Sequence, residues 1–253
     1  MIDLANTGSI VKEIVEGQGY VLLPEVITKE EAENARSRLL QQAEIARKTG
    51  TLLTEGKHRE RIYGLIFKGE IFELMVQHPR VLEVVETILG SEITLGGFSA
   101  HILHPGATNM GVHVDYPYWA MEPPFPAHPI LEVQTIWLVE DFTEDNGAPF
   151  FAPGSQKLSC KPDIKQFHQI AEKITGKAGS VVISHGLCWH DTSTNTTQEP
   201  RVSILGNYTP KFIHPLEDNL YEVRPEVLEQ ASPKLQKLLR YRLKSTEEPI
   251  FKM

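Results

Sequence analysis

The part of the chain after residue 92 sets the tightest limit on what it can fold into. From 93 to 209 the sequence breaks into short β-prone runs at 93–104, 111–116, 131–139, 149–152, 179–184 and 201–209. Turn signals part them: Pro105-Gly106, Asn146-Gly147, Pro153-Gly154 and Lys177-Ala178-Gly179. Many short strands with Gly- and Pro-marked turns predict a sandwich or jelly roll rather than a parallel sheet with crossover helices. Between 117 and 129 lie five prolines and three aromatics, so this stretch is expected to be an irregular loop.

The preceding residues read as a helical scaffold. Residues 19–24 form a short apolar strand stopped by Pro24. Thr28-Lys29-Glu30-Glu31 carries a capping box, with Thr28 as N-cap and Glu31 three positions on. Ala32, Ala35, Leu39, Leu40, Ala43 and Ala46 then recur at helical spacing until Gly50. The polar stretch 51–69 is expected to be loop with marginal structure. A second helical pattern, from Phe72 to Leu89, should be split at Pro79, which lacks an amide donor, and closed by Gly90. After 214 the chain is polar and helix-prone, with Val227, Leu228, Ala231, Leu235, Leu238 and Leu239 around Pro233. This segment either covers the barrel or joins a homodimer interface, and both stay open. The expectation is one α+β domain: scaffold at about 1–92, core at about 93–214, C-terminal helical segment at about 215–253.

Charge and cysteine usage narrow the function classes. A net charge of −8 without a Lys/Arg cluster argues against a nucleic-acid or anionic-membrane surface. Two cysteines, Cys160 and Cys188, make no disulfide framework, and Cys188 reads as a small buried hydrophobe. No run approaches a membrane span, and the N-terminal stretch has no apolar signal core, so a cytoplasmic location is expected.

The chemistry centres on Gly111-Val112-His113-Val114-Asp115. Side chains two apart on a strand share a face, so His113 and Asp115 can supply two of the three ligands of a facial triad for non-haem Fe(II). The pair alone is weak, since about one His-x-Asp/Glu is expected by chance here; His58-Arg59-Glu60 looks like that accident. His190 can complete the triad, leaving cis positions for a bidentate 2-oxo acid and O2. A dicarboxylate bound so needs its far carboxylate neutralised. Arg201, opening an otherwise apolar strand, offers a planar bidentate partner, and Thr192 can add a hydroxyl.

At these residues the chain resembles the phytanoyl-CoA dioxygenase family of Fe(II)/2-oxoglutarate oxygenases. The likeness rests on His113-x-Asp115, on His190-x-Thr192-x-x-Asn195 and on Arg201. It extends to the segments 140–149 (EDFTEDNGAP) and 151–157 (FAPGSQK), and covers nearly the whole chain, from Gly19 to Arg242. The resemblance implies a double-stranded β-helix (jelly-roll, cupin-like) core flanked by N- and C-terminal helices. It also implies His113, Asp115 and His190 as metal ligands, with Arg201 and Thr192 on the 2-oxoglutarate C5 carboxylate. Trp119 resembles an aromatic that some members keep near the iron, and Gln134 is expected to face the same cofactor pocket or to bind backbone. Tyr116, Tyr118, Phe98 and His101 are candidate substrate contacts, with packing as their bland alternative. Gln156 departs from the "PGSHK"-like segment, which has histidine there. The expected reaction is hydroxylation of a small metabolite or natural-product intermediate. Desaturation, demethylation, cyclisation and a non-enzymatic iron/2-oxoglutarate sensor are the alternatives. Asp115 argues against a halogenase, which replaces that acid with Gly or Ala.

Overall fold

The structure is a computed structural model that describes residues 2–217, 220, 223 and 225–239. Local signals place most of the helices. Helix α1 (Thr7–Val15), which the sequence reading lacked, begins where the Asn6 side chain accepts from Ser9 N, and it buries Ile10 and Ile14. Strand β1 is Tyr20–Leu23. In helix α2 (Lys29–Thr49) both halves of the Thr28/Glu31 capping box form, Ala32, Ala35, Leu39 and Ala43 are buried, and Gly50 takes the left-handed conformation (φ 69°). Helices α3 (Glu70–Val76) and α4 (Pro79–Leu89) are separate. Pro79 sits at the start of α4, where its missing N–H has no partner to lose.

Stretch 51–69 departs from the loop expectation. It holds strands β2 (Leu53–Thr54) and β3 (Arg59–Ile62), and β3 pairs antiparallel with strand β4 (Ile93–Leu103). Three further strands, β5 (Val133–Trp137), β8 (Val181–His185) and β10 (Arg201–Pro210), complete a seven-stranded sheet of order β1-β8-β5-β10-β4-β3-β2. A smaller sheet has the order β7-β6-β9, with β6 at Pro149–Phe151, β7 at Glu172–Lys173 and β9 at His190–Thr192. Together they make the jelly roll. The expected strand at 111–116 does not form as a regular strand; it is reduced to one bridge, His113 to His190.

The large sheet is buried on both faces, which is why β4 reads as one continuous buried run. Phe98, Ala100 and Ile102 face the helices, in one cluster with Phe72, Val85 and Leu39. The alternate set on β4 and β10, including Ser99, His101, Arg201, Ser203, Leu205 and Asn207, lines a cavity between the sheets. Helices α5 (Pro225–Gln230) and α6 (Pro233–Leu239) follow the barrel, and the Leu238 carbonyl accepts from Thr94 Oγ1 of β4. The C-terminal segment therefore covers the sheet as far as it is described, and the resemblance's end at Leu238–Arg242 runs beyond the described residues. No described helix is long and apolar enough to cross a membrane. Gln156 explains itself: its Nε2 donates to the carbonyls of Gly17 (3.1 Å) and Ile14 (3.4 Å), tying the 3₁₀ turn at Ser155–Leu158 to the end of α1.

Candidate metal centre

Three backbone contacts bring His113, Asp115 and His190 together. His113 and His190 exchange a reciprocal pair of backbone hydrogen bonds, both 3.1 Å, and Asp115 N donates to Gly186 O at 2.8 Å. Each imidazole is then aimed by its own Nδ1: His113 Nδ1 lies 2.8 Å from Gly111 O and His190 Nδ1 2.9 Å from Cys188 O. A carbonyl can only accept, so both protons sit on Nδ1 and both Nε2 lone pairs are free to bind a metal. The candidate ligand atoms of the three residues all lie within 4.8 Å of one another.

The electrostatics fit a cation at this point. Burial, and then His190, lower the His113 pKa; burial likewise lowers that of His190. The 3.7 Å approach of His190 Nε2 to Asp115 Oδ1 is therefore a contact with a neutral ring rather than an ion pair. Burial pushes the Asp115 carboxyl up to about 7, only partly offset by His113 and Arg61. Its Oδ1 accepts from Gln134 Nε2 (2.8 Å), while the buried Oδ2 has no partner among the described residues. Two neutral imidazoles and a carboxylate short of positive charge form the donor set a divalent ion needs.

The cavity beside this cluster encloses about 330 Å³ and reaches Arg201. Arg201 is 4% exposed. Its guanidinium donates to the carbonyls of Gly147 and Asn146 and lies 4.4 Å from the Phe142 ring centroid. Burial lowers its pKa to about 10, so it keeps its charge at neutral pH. Thr192 lines the same cavity, and its N–H donates to Asp191 Oδ1. Asp191 also accepts from Met110 N (2.9 Å) and Gly111 N (3.1 Å), anchoring the loop that carries His113; the sequence reading passed over this residue.

The remaining candidates separate. Trp119, 54% exposed, stands at the cavity mouth with Tyr116, ring centroids 5.8 Å apart. His101 lines the cavity, its buried Nε2 without a partner among the described residues. Burial first, then Arg61 and Arg201, hold it well below the usual histidine range. Tyr118 is corrected: its ring is fully buried against Phe125, and its hydroxyl accepts from Leu131 N at 2.8 Å. Phe98 is corrected too, because it is three residues from His101 and so points to the opposite face, into the helix-side core. Cys188 is fully buried, its thiol pushed up to about 12 by burial. Sequence reasoning missed Arg61, Asn207 and Glu217, which also line the cavity. Asn207 was open to inference, since it lies at even spacing from Arg201 on one strand.

Comparison with known proteins agrees with this arrangement. The family model described as "Phytanoyl-CoA dioxygenase (PhyH)" matches residues 15–203. The chain is 28% identical over 228 residues to "Dioxygenase af480" of Aspergillus fumigatus, spanning 87% of this chain and 73% of that protein. It is 25% identical over 225 residues to the "Ectoine dioxygenase" of Bordetella bronchiseptica, covering 76% and 72%. Among solved structures, the non-heme alpha ketoglutarate dependent epimerase SnoN from nogalamycin biosynthesis superposes with a TM-score of 0.67 at 19% identity, covering 88% of this chain and 91% of that one. HygX from Streptomyces hygroscopicus, with nickel and 2-oxoglutarate bound, gives 0.66 at 15%, covering 81% and 87%.

Proposed function

The chain belongs to the phytanoyl-CoA dioxygenase family, and from that premise we propose that it is an Fe(II)/2-oxoglutarate-dependent oxygenase that hydroxylates an unactivated C–H of a small molecule. The observation that carries this reading is the convergence of His113, Asp115 and His190, whose ligand atoms lie within 4.8 Å of one another, on a cavity that also reaches a buried arginine. His113, Asp115 and His190 would hold the iron. Iron with 2-oxoglutarate and O2 supplies the oxidising chemistry, with succinate and CO2 as coproducts.

The chain's own residues supply position and charge. Arg201 would meet the C5 carboxylate of 2-oxoglutarate with a charge already desolvated by the fold and held in place by two carbonyls and the Phe142 ring. Thr192, at the end of β9 in the small sheet, would add a hydroxyl to the same end. Gln134 fixes the Asp115 carboxylate through Oδ1 and so leaves Oδ2 for the metal. Asp191 holds the 109–111 loop, and with it the Gly111 carbonyl that orients His113. Trp119 and Tyr116 border the entrance, where a substrate would pass. Aerobic incubation with Fe(II) and 2-oxoglutarate tests the reading: succinate should accumulate, and His190→Ala should abolish it. Iron-loaded protein that leaves 2-oxoglutarate unconsumed with every candidate substrate contradicts it.

A further inference from the structure

One transverse row of the large sheet presents acceptor oxygens to the cavity and withholds its donors. Gly97 of β4 pairs with Asn207 of β10, and Asn207 pairs with Gln134 of β5. The orientation of both amides is fixed from behind. Asn207 Nδ2 donates to Glu132 Oε1 at 2.8 Å and Gln134 Nε2 to Asp115 Oδ1 at 2.8 Å. Each therefore keeps its carbonyl oxygen as an acceptor, and Gln134 Oε1 is buried with no partner among the described residues.

Glu217 lies over the glycine end of this row. A Cβ at Gly97 would meet Glu217 Oε1 at 3.1 Å and Asn207 Oδ1 at 3.3 Å, so two acceptors converge where the chain has no side chain. The carboxylate is 4% exposed and accepts from Phe98 N (2.6 Å) and Gly64 N (2.8 Å), which holds it rigid while lone pairs remain on both oxygens. Those amides do not neutralise it: burial still pushes its pKa up to about 7. Arg61, whose charge offsets this only in part, is paired with Glu55 at 3.1 Å and donates to the Tyr63 hydroxyl at 3.2 Å. Ile136 and Leu205 line the cavity beside the row and offer a carbon skeleton an apolar wall.

We propose that Glu217, Asn207 and Gln134 form a substrate subsite that receives a protonated primary amine. An ammonium has three N–H donors and no acceptor, so it matches a row of three acceptors and supplies the charge that the buried carboxylate lacks. A hydroxyl offers one donor and no charge, and a carboxylate ligand would face like charge. That the occupant is the substrate rests on the oxygenase reading; the preference of the row for ammonium does not.

Calorimetric titration of the full-length protein, anaerobic with Fe(II) and 2-oxoglutarate, with cyclohexylamine, cyclohexanol and cyclohexanecarboxylate tests the proposal. The amine should bind about tenfold or more tightly than the alcohol, as expected for a charge-assisted against a neutral hydrogen bond, and the carboxylate should bind weakest. Glu217→Gln and Gly97→Ala, the latter filling the point where the two oxygens converge, should each remove the preference while 2-oxoglutarate affinity is kept. Equal binding of amine and alcohol, tighter binding of the carboxylate, or an amine preference that survives both variants overturns the proposal. Repeating the titrations on metal-free protein separates the two readings: the amine preference should persist there even if 2-oxoglutarate fails to bind the loaded protein.

Discussion

Arg201→Ala removes two things at once, and the structure lets them be counted separately. The first is the charge awaiting the 2-oxoglutarate C5 carboxylate. Truncating one partner of a buried, hydrogen-bonded charge pair weakens binding by roughly 2–5 kcal/mol, or about 30- to 5,000-fold in Kd. The guanidinium is desolvated and braced by Asn146 O, Gly147 O and Phe142, so little of that interaction is screened by water. The second is the pair of carbonyls left short of a donor, at about 1–3 kcal/mol each if water cannot replace it. A midpoint shift of about 2–4 °C per kcal/mol follows for a chain of this size. Anaerobic calorimetry of 2-oxoglutarate against Fe(II)-loaded protein, run well below the variant's melting point, reads the first effect. Chelator competition reads iron affinity, which should change far less because Arg201 is no ligand. Arg201→Lys should fall between, retaining charge without the planar fork. An unchanged 2-oxoglutarate affinity, or equal loss of iron and 2-oxoglutarate, would refute the reasoning.

Other perturbations separate the remaining roles. Asp115→Gly should keep the fold and reduce substrate hydroxylation by orders of magnitude, with only slight chlorination in chloride buffer by mass spectrometry; near-wild-type hydroxylation would remove Asp115 from the ligand set. Because the metal-free Asp115 carboxyl sits near 7, a metal must displace its proton below that pH, so apparent iron affinity should fall about tenfold per unit as pH drops from 7 to 5. The stability sign is opposite. The folded pKa lies above the unfolded one, so the metal-free protein loses stability at this residue as pH rises from about 4 through 7. Asp115→Asn should therefore raise the metal-free melting point at pH 8 more than at pH 5, and a larger gain at pH 5 would contradict the shift. Gln156→Ala should lower the melting point by the equivalent of about 1–3 kcal/mol through the lost tie to α1, with 2-oxoglutarate binding unchanged.

What could be read from the sequence was what local chemistry or a fixed period dictates. The Thr28/Glu31 box, the break at Pro79 and the strand from Ile93 follow from capping, ring sterics and the turn signals that bound a β-prone run, and the structure has each. His113, Asp115 and His190 meet as expected, although by another route: a single bridge to β9 replaces the anticipated strand, and Asp115 is placed by Gly186. Phe98 shows where period two could have served better, because it and His101 cannot share a face. On a strand buried on both sides, hydrophobicity does not say which face is which. Strand β3 was hidden for a related reason. Three of its four residues, Arg59-Glu60-Arg61-Ile62, are charged, and Arg61 lines the cavity, so they look like loop until the partner strand is known. Glu217 lies beyond the last strand, and only the fold brings it back to Gly64 and Phe98.

The central claim is that this triad holds iron in a form that chelates 2-oxoglutarate. Its most direct test is the visible absorption spectrum of the protein with Fe(II) under anaerobic conditions, before and after 2-oxoglutarate is added. A weak charge-transfer band should appear on addition in the wild type and be absent in His190→Ala. Fully iron-loaded wild-type protein that shows no band would contradict the account.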